Sequence, residues 1–189
     1  MNALSSLDAT MRRRFLRCFV VLTFCAAAGE ALGTDDPCSG FRWDVSREQR
    51  LFGTAAETVT AGKHVASAPL LIPDRLYDLA VTLQQEVTFA VAPGKKTPIA
   101  GASAGLARMH LPAAGEYRIS LDQGFWIDVV AENRLLPAED FQGRPGCRTP
   151  HKIVVYWLPG EKDLILQLSG AAGSHLRLTI TPVPAGPAR

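Results

Sequence analysis

In Leu76-Tyr77-Asp78-Leu79-Ala80-Val81-Thr82-Leu83, apolar and polar side chains alternate with a period of two. Tyr77, Leu79, Val81 and Leu83 share one face, and Asp78, Thr82 and Gln84 share the other. That period belongs to a strand with one face on a core. It recurs in Val87-Thr88-Phe89-Ala90-Val91 and, introduced by Gly115, in Tyr117-Arg118-Ile119-Ser120-Leu121. Phe125-Trp126-Ile127-Asp128-Val129-Val130 and Ile153-Val154-Val155-Tyr156-Trp157-Leu158 are apolar on both faces, as central or covered strands are. Leu164 to Leu168 and Leu176 to Ile180 complete the series. Pro93-Gly94, Pro112, Asp122-Gln123-Gly124, Gly143 to Gly146, Pro159-Gly160 and Gly170 to Gly173 punctuate these runs.

About seven to nine short strands with turn signals at this spacing predict an all-β, antiparallel β-sandwich of jelly-roll-like form. No helical pattern separates the strands, which disfavours a parallel α/β sheet. Upstream, Ser46-Arg47-Glu48-Gln49 reads as a capping box opening one short N-terminal helix that Gly53 ends. Residues 94–106, rich in Gly, Ala, Lys and Pro, read as the longest loop.

Upstream of the helix the chemistry changes. Arg12, Arg13, Arg14 and Arg17 form a positive region, followed by an apolar run from Cys18 to Ala28 and by small residues ending at Gly33. The run is too short to cross a bilayer core of about 30 Å as a helix, so the segment reads as a signal peptide cleaved after Gly33. The expected organisation is a signal over residues 1–33, a β-sandwich over 34–181 and a flexible tail over 182–189, with no transmembrane segment after cleavage. Arg12-Arg13-Arg14-Phe15-Leu16-Arg17 resembles the twin-arginine export signal, which carries folded proteins; an ordinary general-secretion signal is the alternative. Either route implies a periplasmic or secreted protein.

The net charge of +2 belongs to the signal. Once Arg12, Arg13, Arg14 and Arg17 and the acids Asp8 and Glu30 are removed, basic and acidic residues are equal in number. No basic stripe with interleaved aromatics remains, so nucleic acid is not an expected partner. Cys18 and Cys25 leave with the signal. Cys38 and Cys147 remain, and outside the cytoplasm such a pair reads as one disulfide. It would close a loop of about 110 residues, worth roughly 4–5 kcal/mol in lost chain entropy. Phe41-Arg42-Trp43-Asp44, beside Cys38, then reads as a segment stapled across the sandwich.

Gly115-Glu116-Tyr117-Arg118-Ile119-Ser120-Leu121, Trp126-Ile127-Asp128-Val129-Val130, Lys152 to Leu158 and Leu166-Gln167-Leu168-Ser169-Gly170 resemble the pre-peptidase C-terminal (PPC) type of β-sandwich. The likeness covers residues 105–181. It implies a small jelly-roll of secreted bacterial proteins with an accessory or binding role; unlike that pattern, no protease accompanies the domain here. The chain also resembles a group of short exported proteobacterial proteins, some of which carry the label homogentisate 1,2-dioxygenase. An iron dioxygenase needs two histidines and a carboxylate converging on an open site, and no local spacing here supplies them.

Four features bear on chemistry. Gly101-Ala102-Ser103-Ala104-Gly105 matches G-x-S-x-G, but no helix pattern follows it, so it reads as a flexible loop and not as a nucleophile elbow. His64, His110, His151 and His175 have no metal-binding spacing. Asp128 stands inside an apolar run and must face solvent, pair with a cation such as Arg118 or Lys152, or shift its pKa. As a functional group it would be a general base or a Ca²⁺ ligand. Asp44, Glu48 and Asp128 are the only carboxylates to nominate for paired-carboxylate glycoside chemistry. Trp43, Trp126 and Trp157, with Tyr77 and Tyr156, either fill the core or form a flat platform for sugar rings. Trp126, Asp128 and Trp157 are the candidate ligand-binding residues.

These readings predict no catalytic constellation and no cofactor. The expected function is a non-catalytic accessory or ligand-binding module whose partner is a glycan, a small molecule or an envelope protein. A small exported, metal-dependent enzyme and a structural partner in a cell-envelope complex are the alternatives.

Overall fold

The computed structural model describes residues 36–95 and 99–184. The signal reading, with Arg12, Arg13 and Gly33, lies outside the described residues, as do the last five residues of the expected tail. None of the described helices is long and apolar enough to cross a membrane.

Among the described residues twelve strands form two sheets. In chain order they are β1 (Glu57–Thr60), β2 (Leu70–Leu71), β3 (Leu76–Ala80), β4 (Thr82–Leu83), β5 (Ser103–His110), β6 (Gly115–Leu121), β7 (Trp126–Ala131), β8 (Arg134–Leu135), β9 (Asp140–Gly143), β10 (Lys152–Leu158), β11 (Asp163–Ala171) and β12 (His175–Pro182). One sheet runs β1-β3-β12-β6-β10-β9 and the other β2-β5-β11-β7-β8, with β4 beside β5. Successive long strands alternate between the sheets, as in a jelly-roll. The long ladders are antiparallel, while β1–β3 and β2–β5 are parallel. Between the sheets lies one core, including Tyr77, Leu79, Ile119, Leu121, Phe125, Ile127, Val129, Val154, Tyr156, Leu166, Leu178 and Ile180.

Four local readings are corrected. The Leu76–Leu83 run is not one strand. Tyr77 and Leu79 are buried in β3, the ladder breaks at Val81, and β4 joins the other sheet with Leu83 exposed. Val87 to Val91 forms no strand. The side-chain oxygen of Gln167 accepts the N–H groups of Ala90 and Val91 at 2.7 and 3.2 Å, a role that a neighbouring strand would otherwise fill. Residues 103–106 are not loop but the start of β5, where Ser103 is buried. The helix α1 (Ser46–Phe52) does end at Gly53, but Ser46 is not its cap. Asp44 takes the backbone N–H of Ser46 at 2.9 Å and its hydroxyl, and these bonds hold the Asp44 carboxyl below its usual pKa. Glu48 is thereby free to turn inward, where it accepts the Thr181 hydroxyl and lies 3.6 Å from Arg118.

Cys38 and Cys147 form a disulfide. The segment it tethers crosses the sheet edge at β9. Arg42 donates to Asp140 at 2.8 Å, Gln142 accepts the Arg42 N–H at 2.9 Å, and the guanidiniums of Arg42 and Arg118 stand 5.0 and 5.5 Å from the Trp43 ring centroid. β12 continues through Pro182, and the Val183 N–H bonds Glu116 O at 2.9 Å, so the sandwich extends past residue 181.

Candidate functional site

The candidate site lies where the sandwich is open along one edge. β7 and β8 form a hairpin with a two-residue turn at Glu132-Asn133, both at positive φ (50° and 59°), as a type I′ turn requires. Because β8 is only two residues long, it pairs Val130 and Ala131, and the first half of β7 has no strand partner on that side among the described residues. The chain then crosses from β8 to β9, on the edge of the opposite sheet. Leu136 is tied down by its N–H to Val129 O at 2.8 Å.

Under this crossing is a cleft of about 390 Å³. Ile127 of β7 and Val154 and Tyr156 of β10 line it from the two facing sheets. Leu135 to Ala138 and Phe141 line it from the crossing and the edge strand. Trp126, Asp128 and Lys152 complete it. Its size falls at the lower end of cavities that hold small molecules, and its mainly apolar walls with a few polar groups match their usual chemistry.

Trp126 and Asp128 share one face of β7. The indole N–H of Trp126 donates to Asp128 Oδ1 at 2.9 Å, and the Gly94 N–H donates to Oδ2 at 3.0 Å. Asp128 is therefore buried, with no direct ion pair among the described residues; the two N–H groups compensate for lost water. This carboxylate also fastens the loop before β5 to the sheet. A Cβ on Gly94 would stand 2.9 Å from Asp128 Oδ1, so only glycine permits this approach without displacing a neighbour. Gln167, on the adjacent strand opposite Asp128, holds the same loop at Ala90 and Val91.

Lys152 opens β10 and donates to Phe125 O at 3.0 Å. Its ammonium stands 5.2 Å from the Trp126 ring centroid, and that of Lys95 stands 5.8 Å away. Burial, followed by repulsion from Lys95, pushes the Lys152 pKa down, and Asp128 opposes this in part. The Tyr156 hydroxyl donates to Ile127 O at 2.9 Å, joining the two sheets. Burial, then the Asp128 charge, pushes its pKa well up, so this phenol remains a hydrogen-bond donor.

Of the three candidate ligand-binding residues, Trp126 and Asp128 meet in this cleft and Trp157 does not. Trp157 is 62% exposed and lines a separate depression with Tyr117 and Pro182. Tyr77 is core, and Trp43 belongs to the N-terminal strap, so the aromatics form no shared platform. The nominated carboxylates are also apart: Asp44 and Glu48 belong to the helix region over one sheet, and Asp128 belongs to the other. His110 and His175 pair with Asp163 and Asp78, at 3.2 and 3.1 Å. Among the described residues no three His, Cys, Asp or Glu side chains gather as a metal site. Lys95, Leu136 and Phe141 are not candidates in the sequence, and Lys152 is one only as a cation to pair with Asp128. No family model and no curated protein matches the chain.

Proposed function

We propose that this chain is an exported β-sandwich protein that acts outside the cytoplasm as a ligand-binding or accessory module without catalysis of its own, with the Trp126–Lys152 cleft as its binding site. The observation that carries this reading is an apolar cleft at an open sandwich edge whose carboxylate and phenol are already hydrogen-bonded within the protein. Asp128 accepts two N–H groups and Tyr156 donates to a backbone carbonyl. Groups so engaged hold the shape of the cleft. The disulfide is compatible with an oxidising compartment, and the arginine-led N-terminus supports export. The resemblance to PPC-type domains points to the same accessory role.

A library of small apolar and amphipathic compounds tests this reading by ligand-observed NMR. At least one class is expected to bind wild type and to lose binding when Ala138, an exposed lining residue, is changed to Trp so that the cleft is filled. Binding that survives Ala138→Trp would place the site elsewhere and contradict the reading. Exposed Trp157, in its own depression, favours a second reading as a structural partner in an envelope complex. Co-purification that depends on Trp157 but not on Trp126 would favour it.

A further inference from the structure

If the cleft is a binding site, its walls and its charges together specify what it takes. The walls are apolar, and Phe141 remains 66% exposed beside the opening. At the Trp126 end the charge is unbalanced. Lys95 and Lys152 both stand within 6 Å of the indole ring, and among the described residues neither is ion-paired. Among the described residues Asp128 is the one carboxylate lining the cleft, and each of its oxygens already accepts an N–H. Two ammonium groups thus face one committed carboxylate. Lys152 spends one of its three donors on Phe125 O.

We propose that the cleft takes an amphipathic carboxylate, with its apolar acyl or aryl body against Ile127, Val154 and Tyr156 and its head group between Lys95 and Lys152. This proposal rests on the binding-cleft reading above and adds the ligand's charge to it. A cationic ligand would meet two like charges at the rim. A neutral one would leave the half-buried Lys152 ammonium uncompensated, whereas a carboxylate gives it a charge-assisted partner in a site of reduced dielectric. Lysine suits this task because its donors turn on a flexible stem and do not demand a planar fork geometry. The burial and the Lys95 repulsion that lower the Lys152 pKa are both relieved by an anion placed between the two ammoniums.

The test uses the purified protein and three probes with one chain and different heads: octanoate, octanamide and octylamine, titrated by calorimetry at low and moderate salt. Octanoate is expected to bind about tenfold or more tightly than octanamide, as a charge-assisted contact gives. Octylamine is expected to bind more weakly than either. The octanoate affinity falls as salt rises. Lys95→Gln, at an exposed position, and Lys152→Gln each weaken octanoate about tenfold and erase its preference over octanamide. Equal binding of octanoate and octanamide, unchanged in the lysine variants but lost in Ala138→Trp, overturns the carboxylate assignment and leaves the cleft as a site for neutral ligands. A ligand set from the broader library that never includes the cleft overturns both.

Discussion

Trp126 Nε1 lies 2.9 Å from Asp128 Oδ1, across one face of β7. This bond fixes the indole at the rim of the cleft, and the other carboxylate oxygen holds Gly94 and so the loop that carries Lys95. One buried carboxylate thereby positions both the ring and one of the two cations beside it.

Asp128→Ala leaves the part-buried Trp126 and Gly94 N–H groups without this partner. The expected loss of stability is about 1–3 kcal/mol, with ligand binding lost alongside. Asp128→Asn retains an acceptor oxygen and is expected to recover part of both. Urea unfolding of the three proteins checks the order wild type, Asn, Ala.

Gly94→Ala forces a Cβ to within 2.9 Å of Asp128 Oδ1. The carboxylate is held by two hydrogen bonds, so the loop is expected to yield. The stability cost is about 1–3 kcal/mol, as for other overpacked sites. Amide exchange at Ala90–Lys95 should accelerate. Unchanged exchange there would show that Asp128 does not hold the loop.

Replacing both Cys38 and Cys147 with Ser releases the N-terminal strap and is expected to cost about 2–5 kcal/mol. In a domain of this size that lowers Tm by roughly 2–4 °C per kcal/mol. Cleft binding should persist below the new Tm, because Cys147 lines a different depression, with Asp122 and His151.

Lys152 gives a pH dependence of known sign. Its folded-state pKa is lowered from an ordinary 10.5, chiefly by burial, so as pH rises the folded protein releases this proton before the unfolded chain does. Stability attributable to Lys152 therefore rises with pH between its lowered pKa and 10.5. Denaturant midpoints across this range should climb more steeply for wild type than for Lys152→Met. Parallel curves would contradict the burial of this group.

The two-sheet β architecture was legible because Tyr117–Leu121, Trp126–Val130, Ile153–Leu158 and Leu176–Ile180 carry enough alternating or continuous apolar side chains to declare themselves. The failures have local causes. Val87–Val91 alternates, but the Gln167 side chain satisfies its backbone in place of a strand. β5 was hidden because Ser103-Ala104-Gly105 has small residues on both faces; Gly105 packs so closely on Ala61 that a Cβ would approach to 2.4 Å. The site was half legible. Asp128 stood out as a charge in an apolar run, and Trp126 as its neighbour. Leu136 and Phe141 reach the cleft through the Glu132-Asn133 turn and the β8–β9 crossing, and Lys95 stands beside it on the loop that Asp128 holds at Gly94; these paths bring together residues distant in sequence. Trp157 shares only its side-chain type with Trp126, and its strand position directs it to a separate depression.

The most direct measurement is an assigned ¹H–¹⁵N spectrum of the protein during titration with octanoate, in which the indole N–H signals of Trp43, Trp126 and Trp157 are resolved. The expected result is saturable movement of the Trp126 indole and Gly94 amide signals, with Trp43 and Trp157 unmoved. Movement of Trp157 with Trp126 unchanged would contradict the assignment of the cleft as the binding site.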